Sequence, residues 1–143
     1  MGLRYPSLDA GRCAGCHACE RACVEHRYGP SDEVTILERR RLRILPGPSL
    51  AVCVHCPEAP CIAVCPHLAL LRFPDGRVEL LEDRCTGCGK CIPACPFDAI
   101  HRVVELDIAV KCDGCAAVDG EPACAPACPS GALSLVDVVA RGR

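Results

Sequence analysis

The chain has 143 residues and 16 cysteines, but only two tyrosines, two phenylalanines and no tryptophan. That is the length of one ordinary domain or two very small ones, and it excludes a core built of aromatic side chains. With a formal charge of −2, it also lacks the basic excess of a nucleic-acid binder, and cysteine this dense leaves three readings: a disulfide scaffold, zinc sites or iron-sulfur clusters.

In chain order, the opening MGLRYPSLDAGRC has no apolar run of signal-peptide length and no twin-arginine pair. Nothing in it marks the chain for export by itself, so the expected compartment is the reducing cytoplasm, unless a signal-bearing partner carries the chain out. In that compartment dense cysteine points to metal rather than to disulfides. The first cysteine group is Cys13, Cys16, Cys19 and Cys23. Residues 34 to 45, VTILERRRLRIL, are β-prone and carry Arg39, Arg40, Arg41 and Arg43, which predicts a solvated strand face or a docking surface for a partner. The second group, Cys53, Cys56, Cys61 and Cys65, lies in CVHCPEAPCIAVCP. There Pro57 and Pro60 either stiffen the gap between Cys56 and Cys61 or are ordinary loop prolines. LLRFPDGRVELLE at 70 to 82 places Pro74-Asp75-Gly76 between apolar stretches, the mark of a hairpin. The third group is Cys85, Cys88, Cys91 and Cys95, and the fourth is Cys112, Cys115, Cys124 and Cys128. The last apolar stretch, ALSLVDVVA at 132 to 140, contains Asp137 and is too short to span a bilayer.

These groups form a fourfold repeat with no cysteine left over. Each opens C-x-x-C and closes C-x-x-x-C, and only the middle gap varies. CPHLAL, CPFDAI and CPSGAL share the ending C-P-x-x-A-[L/I], whereas the first group ends CVEHRY. Self-similarity at four places is a stronger signal than any single motif. A structural zinc site takes two thiolates from each of two well-separated C-x-x-C knuckles. Three cysteines in seven residues instead wrap a tight loop around three corners of a compact cube, and the fourth, one helical turn on, reaches more naturally for a neighbouring cluster. CTGCGKCIPACP at 85 to 96 matches the bacterial ferredoxin run C-x2-C-x2-C-x3-C-P at every position. The spacing therefore predicts four 4Fe-4S clusters. Pro66, Pro96 and Pro129, each just after a terminal ligand, turn the chain away once the thiolate is delivered.

CVHCPEAPCIAVCP, CTGCGKCIPACP, KCDGC and CAPACP together resemble the four-cluster, ferredoxin-type electron-transfer subunits of molybdenum and tungsten pterin oxidoreductases. That family includes subunits of formate dehydrogenases, dimethyl sulfoxide reductase and polysulfide reductase, with relatives serving hydrogenases, carbon monoxide dehydrogenase and tungsten aldehyde oxidoreductase. The likeness runs from about Asp9 to Leu133. It implies an α+β fold of two dicluster domains, an outer one from residues 1–50 and 105–143 and an inserted one from residues 51–104, with short helices and two-stranded ribbons around the clusters. It further implies four ligand sets: Cys13, Cys16, Cys19 and Cys128; Cys112, Cys115, Cys124 and Cys23; Cys53, Cys56, Cys61 and Cys95; and Cys85, Cys88, Cys91 and Cys65. The implied partner is a catalytic subunit of the pterin, hydrogenase or carbon monoxide dehydrogenase kind. A flavin- or NAD-linked subunit, or a membrane quinone-linked one, is the candidate at the other end.

The expected function is a one-electron conduit rather than an enzyme. Cysteines 19 and 23 lie about 6 Å apart along a helix, which puts paired cluster centres on the order of 12 Å apart. A compact chain of this size is roughly 37 Å across, so four clusters span it. Every thiol is committed, and neither a G-x-G-x-x-G turn nor a phosphate loop is present. His17, His26, His55, His67 and His101 remain, and of these His17 and His55 sit inside cluster loops, where they either hydrogen-bond near a sulfur or serve packing and surface roles. Lys90 between Cys88 and Cys91, against Asp113 between Cys112 and Cys115, predicts the higher potential at the cluster beside Lys90. Four oxidised clusters would bring the net charge to about −10 and steer the protein toward basic docking patches. A free soluble polyferredoxin, self-association into a longer cluster chain and a zinc scaffold are the alternatives.

Overall fold

The computed structural model describes residues 3–138. Among them the strands pair only in twos: β1 (Arg4–Leu8) with β8 (Leu133–Asp137), β2 (Leu42–Leu45) with β3 (Ser49–Val52), β4 (Leu70–Arg72) with β5 (Val78–Leu80), and β6 (His101–Val103) with β7 (Ile108–Val110), all antiparallel. The helices are α1 (Ala18–Tyr28), α2 (Glu33–Arg39), α3 (Pro60–Val64), α4 (Cys91–Ala94) and α5 (Cys124–Ala127). Short helices and two-stranded ribbons are the expected α+β texture. Residues 1–2 and 139–143, which include the last two positions of the apolar stretch at 132 to 140, lie outside the described residues. No helix among the described residues is long and apolar enough to cross a membrane.

The expected hairpin at 70 to 82 is present. Its turn closes with Phe73 N–H donating to the Arg77 carbonyl at 2.7 Å, and Arg77 N–H donating to Asp75 Oδ1 at 3.0 Å. Alternation along β4 and β5 sends Leu70, Val78 and Leu80 inward. Pro60 takes the first turn of α3, where its missing N–H costs nothing, so its ring begins a helix as well as narrowing the gap.

Residues 34 to 45 depart from expectation. Asp32 caps a helix over Glu33–Arg39, its side chain accepting from Thr35 N–H at 2.8 Å, and strand begins only at Leu42. The cap and the acidic first turn outweigh the weak β preference of Val34, Thr35 and Ile36. The arginines form neither a solvated strand face nor an open docking surface. Arg39 reaches Glu105 at 2.6 Å, Arg40 reaches Glu20 at 3.0 Å, and Arg43 reaches the Asp98 carboxylate at 3.1 Å. Arg41, buried, donates to Glu82 at 2.7 Å and to the Lys111 carbonyl at 2.9 Å. The basic run is thus a seam that ties the segment after the first motif to the chain around motifs three and four.

Burial divides into two cores. One gathers Cys61, Leu70, Val78, Leu80, Cys91 and Ile100, with Cys65, Cys85 and Cys95 packed against it. The other gathers Cys19, Leu42, Val52, Cys124 and Leu133, with Cys23, Cys112 and Cys128 packed against it. Cysteines of motifs two and three share the first, and those of motifs one and four share the second.

Candidate metal centre

The ending C-P-x-x-A-[L/I] has a local structural cause. After Cys65, Cys95 and Cys128 the proline turns the chain, and the fourth position takes positive φ: 53° at Leu68, 53° at Asp98 and 68° at Gly131. The next amide then points back at the sulfur. Ala69, Ala99 and Ala132 donate N–H to Sγ of Cys65, Cys95 and Cys128 at 3.4, 3.4 and 3.2 Å. All three alanines are buried, and close packing there favours a small apolar residue. The first group lacks this ending because Cys23 lies inside α1, where following amides are engaged in the helix. Its sulfur takes an amide from elsewhere, Arg41 N–H at 3.4 Å. Further amides reach Cys53 from His55 (3.3 Å), Cys112 from Gly114 (3.4 Å) and Cys85 from Ala109 (3.3 Å).

The third cysteine of each group, Cys19, Cys61, Cys91 or Cys124, is buried on or at the start of a short helix. α1 packs on α5, and α3 on α4, so motif one faces motif four and motif two faces motif three. One cavity is lined by Cys53, Cys56, Cys61 and Cys95, and a second by Cys23, Cys112, Cys115 and Cys124. Each takes three cysteines from one motif and the last from another.

Electrostatics traces the same neighbourhoods. Burial pushes the Cys61 thiol up to about 11, with Cys53, Cys56 and Cys95 adding to the rise against the opposing charge of Lys111. Burial also lifts Cys91 to about 11, aided by Cys85, Cys61 and Cys65, and Cys124 to about 12, aided by Cys23, Cys115 and Cys19. Cys19 rises to about 11 through burial, the adjacent Glu20 and, more weakly, Cys128. Cys112 is raised by burial, with Cys23 and Cys53 among its neighbours. Cys128 runs the other way, to about 7, because the Ser130 hydroxyl and nearby amides favour the thiolate. Cys16 and Cys88 are exposed.

This donor set fits iron-sulfur clusters. Among the described residues no three His, Cys, Asp or Glu side chains converge as ligands of one ion would, whereas a cube-shaped cluster binds its thiolates through separate iron atoms and so needs them wider set. The buried thiols would be protonated at neutral pH, and cluster iron supplies the positive charge that ionises them.

The remaining candidates sort differently. Exposed His17 pairs with Glu20 at 3.1 Å, His26 with Asp119 at 3.0 Å, and His101 with the Glu38 carbonyl at 3.0 Å. His55 alone among the histidines is fully buried in a cluster loop, and burial, then the charge of Lys111, drive its imidazole down to about 3. Lys90 is exposed, where water screens its charge. Burial pushes the Asp113 carboxyl up, but the charge and hydrogen bond of Arg27, 2.7 Å away, more than reverse this and hold it below its ordinary value. Lys111, 1% exposed, is a buried lysine that composition could not single out, since nothing local distinguishes it from a surface lysine.

Gly87, between Cys85 and Cys88, has φ +76°, and a Cβ there would press into the Asp107 carbonyl, 2.9 Å from its carbon. Gly87→Ala is expected to cost about 2–4 kcal/mol through left-handed strain and overpacking. Anaerobic melting should register this as a lower midpoint with earlier iron release, and an unshifted midpoint would show that the loop yields.

Residues 49–138 match the 4Fe-4S dicluster domain family, and residues 10–24 match a 4Fe-4S binding domain. The chain is 35% identical over 155 residues to the electron transport protein HydN of Escherichia coli K12, covering 94% of this chain and 88% of HydN. It is 36% identical over 174 residues to formate hydrogenlyase subunit 2 of the same organism, covering 94% of this chain and 82% of that subunit. The longer E. coli protein AegA is 34% identical over 155 residues, and the chain spans only 22% of its length. The chain belongs to the 4Fe-4S dicluster family, as a ferredoxin-type iron-sulfur protein of electron transport.

Proposed function

We propose that this chain is the electron-transfer subunit of a redox enzyme complex, holding four 4Fe-4S clusters in the four cysteine sets given above, within two nested dicluster domains. The observation that carries this is the pair of cavities, each lined by three cysteines of one motif and the terminal cysteine of another. The pairing of β1 with β8 and the two separate cores support the nested arrangement. A division that keeps β3 and the β6–β7 hairpin whole moves each boundary by a few residues.

When bound, the clusters take up and release single electrons. The chain's own residues hold and order them. Cys19 lies near Cys124, Cys112 near Cys53, and Cys61 near Cys91, which supports a row of the four sets. Exposed Cys16 and Cys88 belong to the first and last sets of that row, giving the relay two outward-facing ends. The amides aimed at the sulfurs stabilise added negative charge, and buried Ala99 packs beside Cys95 of one inner set. The similarity to formate hydrogenlyase subunit 2 favours a partner that oxidises formate or handles hydrogen, with a pterin, hydrogenase or carbon monoxide dehydrogenase subunit as the class.

Anaerobically purified protein should contain about sixteen iron and sixteen sulfide per chain. A value near eight would overturn the four-cluster reading. Affinity capture from the native host under the same conditions should bring down a large catalytic subunit at fixed stoichiometry. Recovery of the brown protein alone would replace the dedicated subunit with a free polyferredoxin.

A further inference from the structure

The cavity lined by Cys53, Cys56, Cys61 and Cys95 also contains two buried polar side chains, His55 and Lys111. Each is 1% exposed. Val78, on strand β5, engages both. Its N–H donates to His55 Nδ1 at 3.0 Å, and its carbonyl accepts from Lys111 Nζ. A backbone N–H can only donate, so Nδ1 carries the lone pair and the proton sits on Nε2. That Nε2 is buried with no hydrogen-bond partner among the described residues, and an unmatched buried donor is costly unless something in the cavity accepts from it.

Lys111 has a matching deficit. Its ammonium donates to the Val78 and Cys112 carbonyls, yet among the described residues no carboxylate lies within ion-pair distance of it. Asp113, the nearest acidic residue in sequence, is held by Arg27 at 2.7 Å. A buried cation without a counter-charge is costly. Four thiolates around a cluster would supply that charge, and sulfur acceptors would supply the partner for Nε2–H. Lys111 also acts on Cys61 and Cys112, one from each of the two middle sets, so it stands where the two halves meet.

We propose that His55 and Lys111 are tuning residues, which donate a hydrogen bond and a positive charge to the cluster of Cys53, Cys56, Cys61 and Cys95 and give it the highest reduction potential in the chain. This rests on the ligand sets proposed above. The cluster gains one electron, no bond forms or breaks, and the proton stays on Nε2. The added negative charge is stabilised by the N–H and the ammonium, so an electron entering from either end settles at the junction of the halves. Lys90, between Cys88 and Cys91, is exposed where water screens its charge, whereas Lys111 is buried.

The test is an anaerobic potentiometric titration of the holo-protein followed by electron paramagnetic resonance, in wild type, His55→Leu and Lys111→Met. His55→Leu should lower the potential of the first-reduced cluster by at least a tenfold loss in its reduction equilibrium, about 59 mV for one electron, with the other signals in place. Lys111→Met should lower that cluster too and move one neighbouring signal by less. His55→Gln, which keeps a donor, should recover part of the loss. Unchanged or raised potentials in both variants would overturn the proposal. If the variants do not fold, wild type labelled with 15N-histidine decides it: hyperfine coupling of an imidazole nitrogen to the first-reduced cluster supports the hydrogen bond, and no coupling refutes it. An iron count short of four clusters would take down the ligand sets as well, whereas four clusters with unmoved potentials would take down the tuning alone.

Discussion

Chelating iron out of the protein under anaerobic, reducing conditions is expected to unfold it, with loss of the helical dichroism signal and no cooperative thermal transition remaining. Cysteines sit at the centre of both cores, Cys61 and Cys91 in one and Cys19 and Cys124 in the other. The rest of the architecture is too small to stand alone. Among the described residues the longest helix has 11 residues, at the margin below which isolated helices do not persist, and the sheets are all two-stranded ribbons, which are marginal in water. Stripping the iron would leave thiols that burial keeps protonated around empty cavities, and would remove the thiolate–iron bonds proposed to join motif one to four and two to three, leaving only contacts such as Arg27–Asp113 and His26–Asp119 between the first and last motifs. Metal binding is therefore folding free energy here. Acid should speed the loss, because protons compete with iron for thiolates. Adding iron and sulfide back should restore the fold, and a cooperative melt of the apo-protein with native-like dichroism would refute this account.

Glu20→Ala is expected to destabilise the holo-protein by about 3–5 kcal/mol, the cost of leaving a buried charge unpartnered. Glu20 is 2% exposed and accepts from Arg40 at 3.0 Å and from Ile44 N–H at 2.6 Å, with His17 at 3.1 Å. It thereby pins α1 to the arm that carries Arg41, whose N–H reaches Cys23. Differential scanning calorimetry under nitrogen should show the midpoint fall by on the order of 10 °C. A double-mutant cycle with Arg40→Ala should recover much of the loss, since removing both partners leaves no orphan charge. A fall of only a degree or two would mean that solvent reaches Arg40 easily enough to replace the carboxylate.

Much of the molecule is legible before any coordinates are considered, because cluster ligation writes itself into spacing. The hairpin at 70 to 82 follows from Pro74-Asp75-Gly76 between apolar stretches, and the C-P-x-x-A endings mark real sulfur-directed turns. The helix at Glu33–Arg39 is the opposite case. Its signal is a single capping aspartate, which is weaker to the eye than three β-branched or apolar residues in a row. The role of Arg39, Arg40, Arg41 and Arg43 was hidden for another reason: their partners lie 20 to 70 residues away along the chain, and charge carries no sequence mark of whom it will meet.

What the sequence determined alone was the chemistry: four repeated thiol groups, their spacing, and the small core that makes metal necessary. Those are local properties, set within a loop of a dozen residues by covalent geometry and by where proline and glycine let the chain turn. The tertiary structure decided which cysteines share a cavity, that His55 faces inward with its Nε2–H unmatched, and that Lys111 rather than Lys90 is the buried lysine. Those properties depend on the packing of one motif against another, and burial is not a property a residue carries with it.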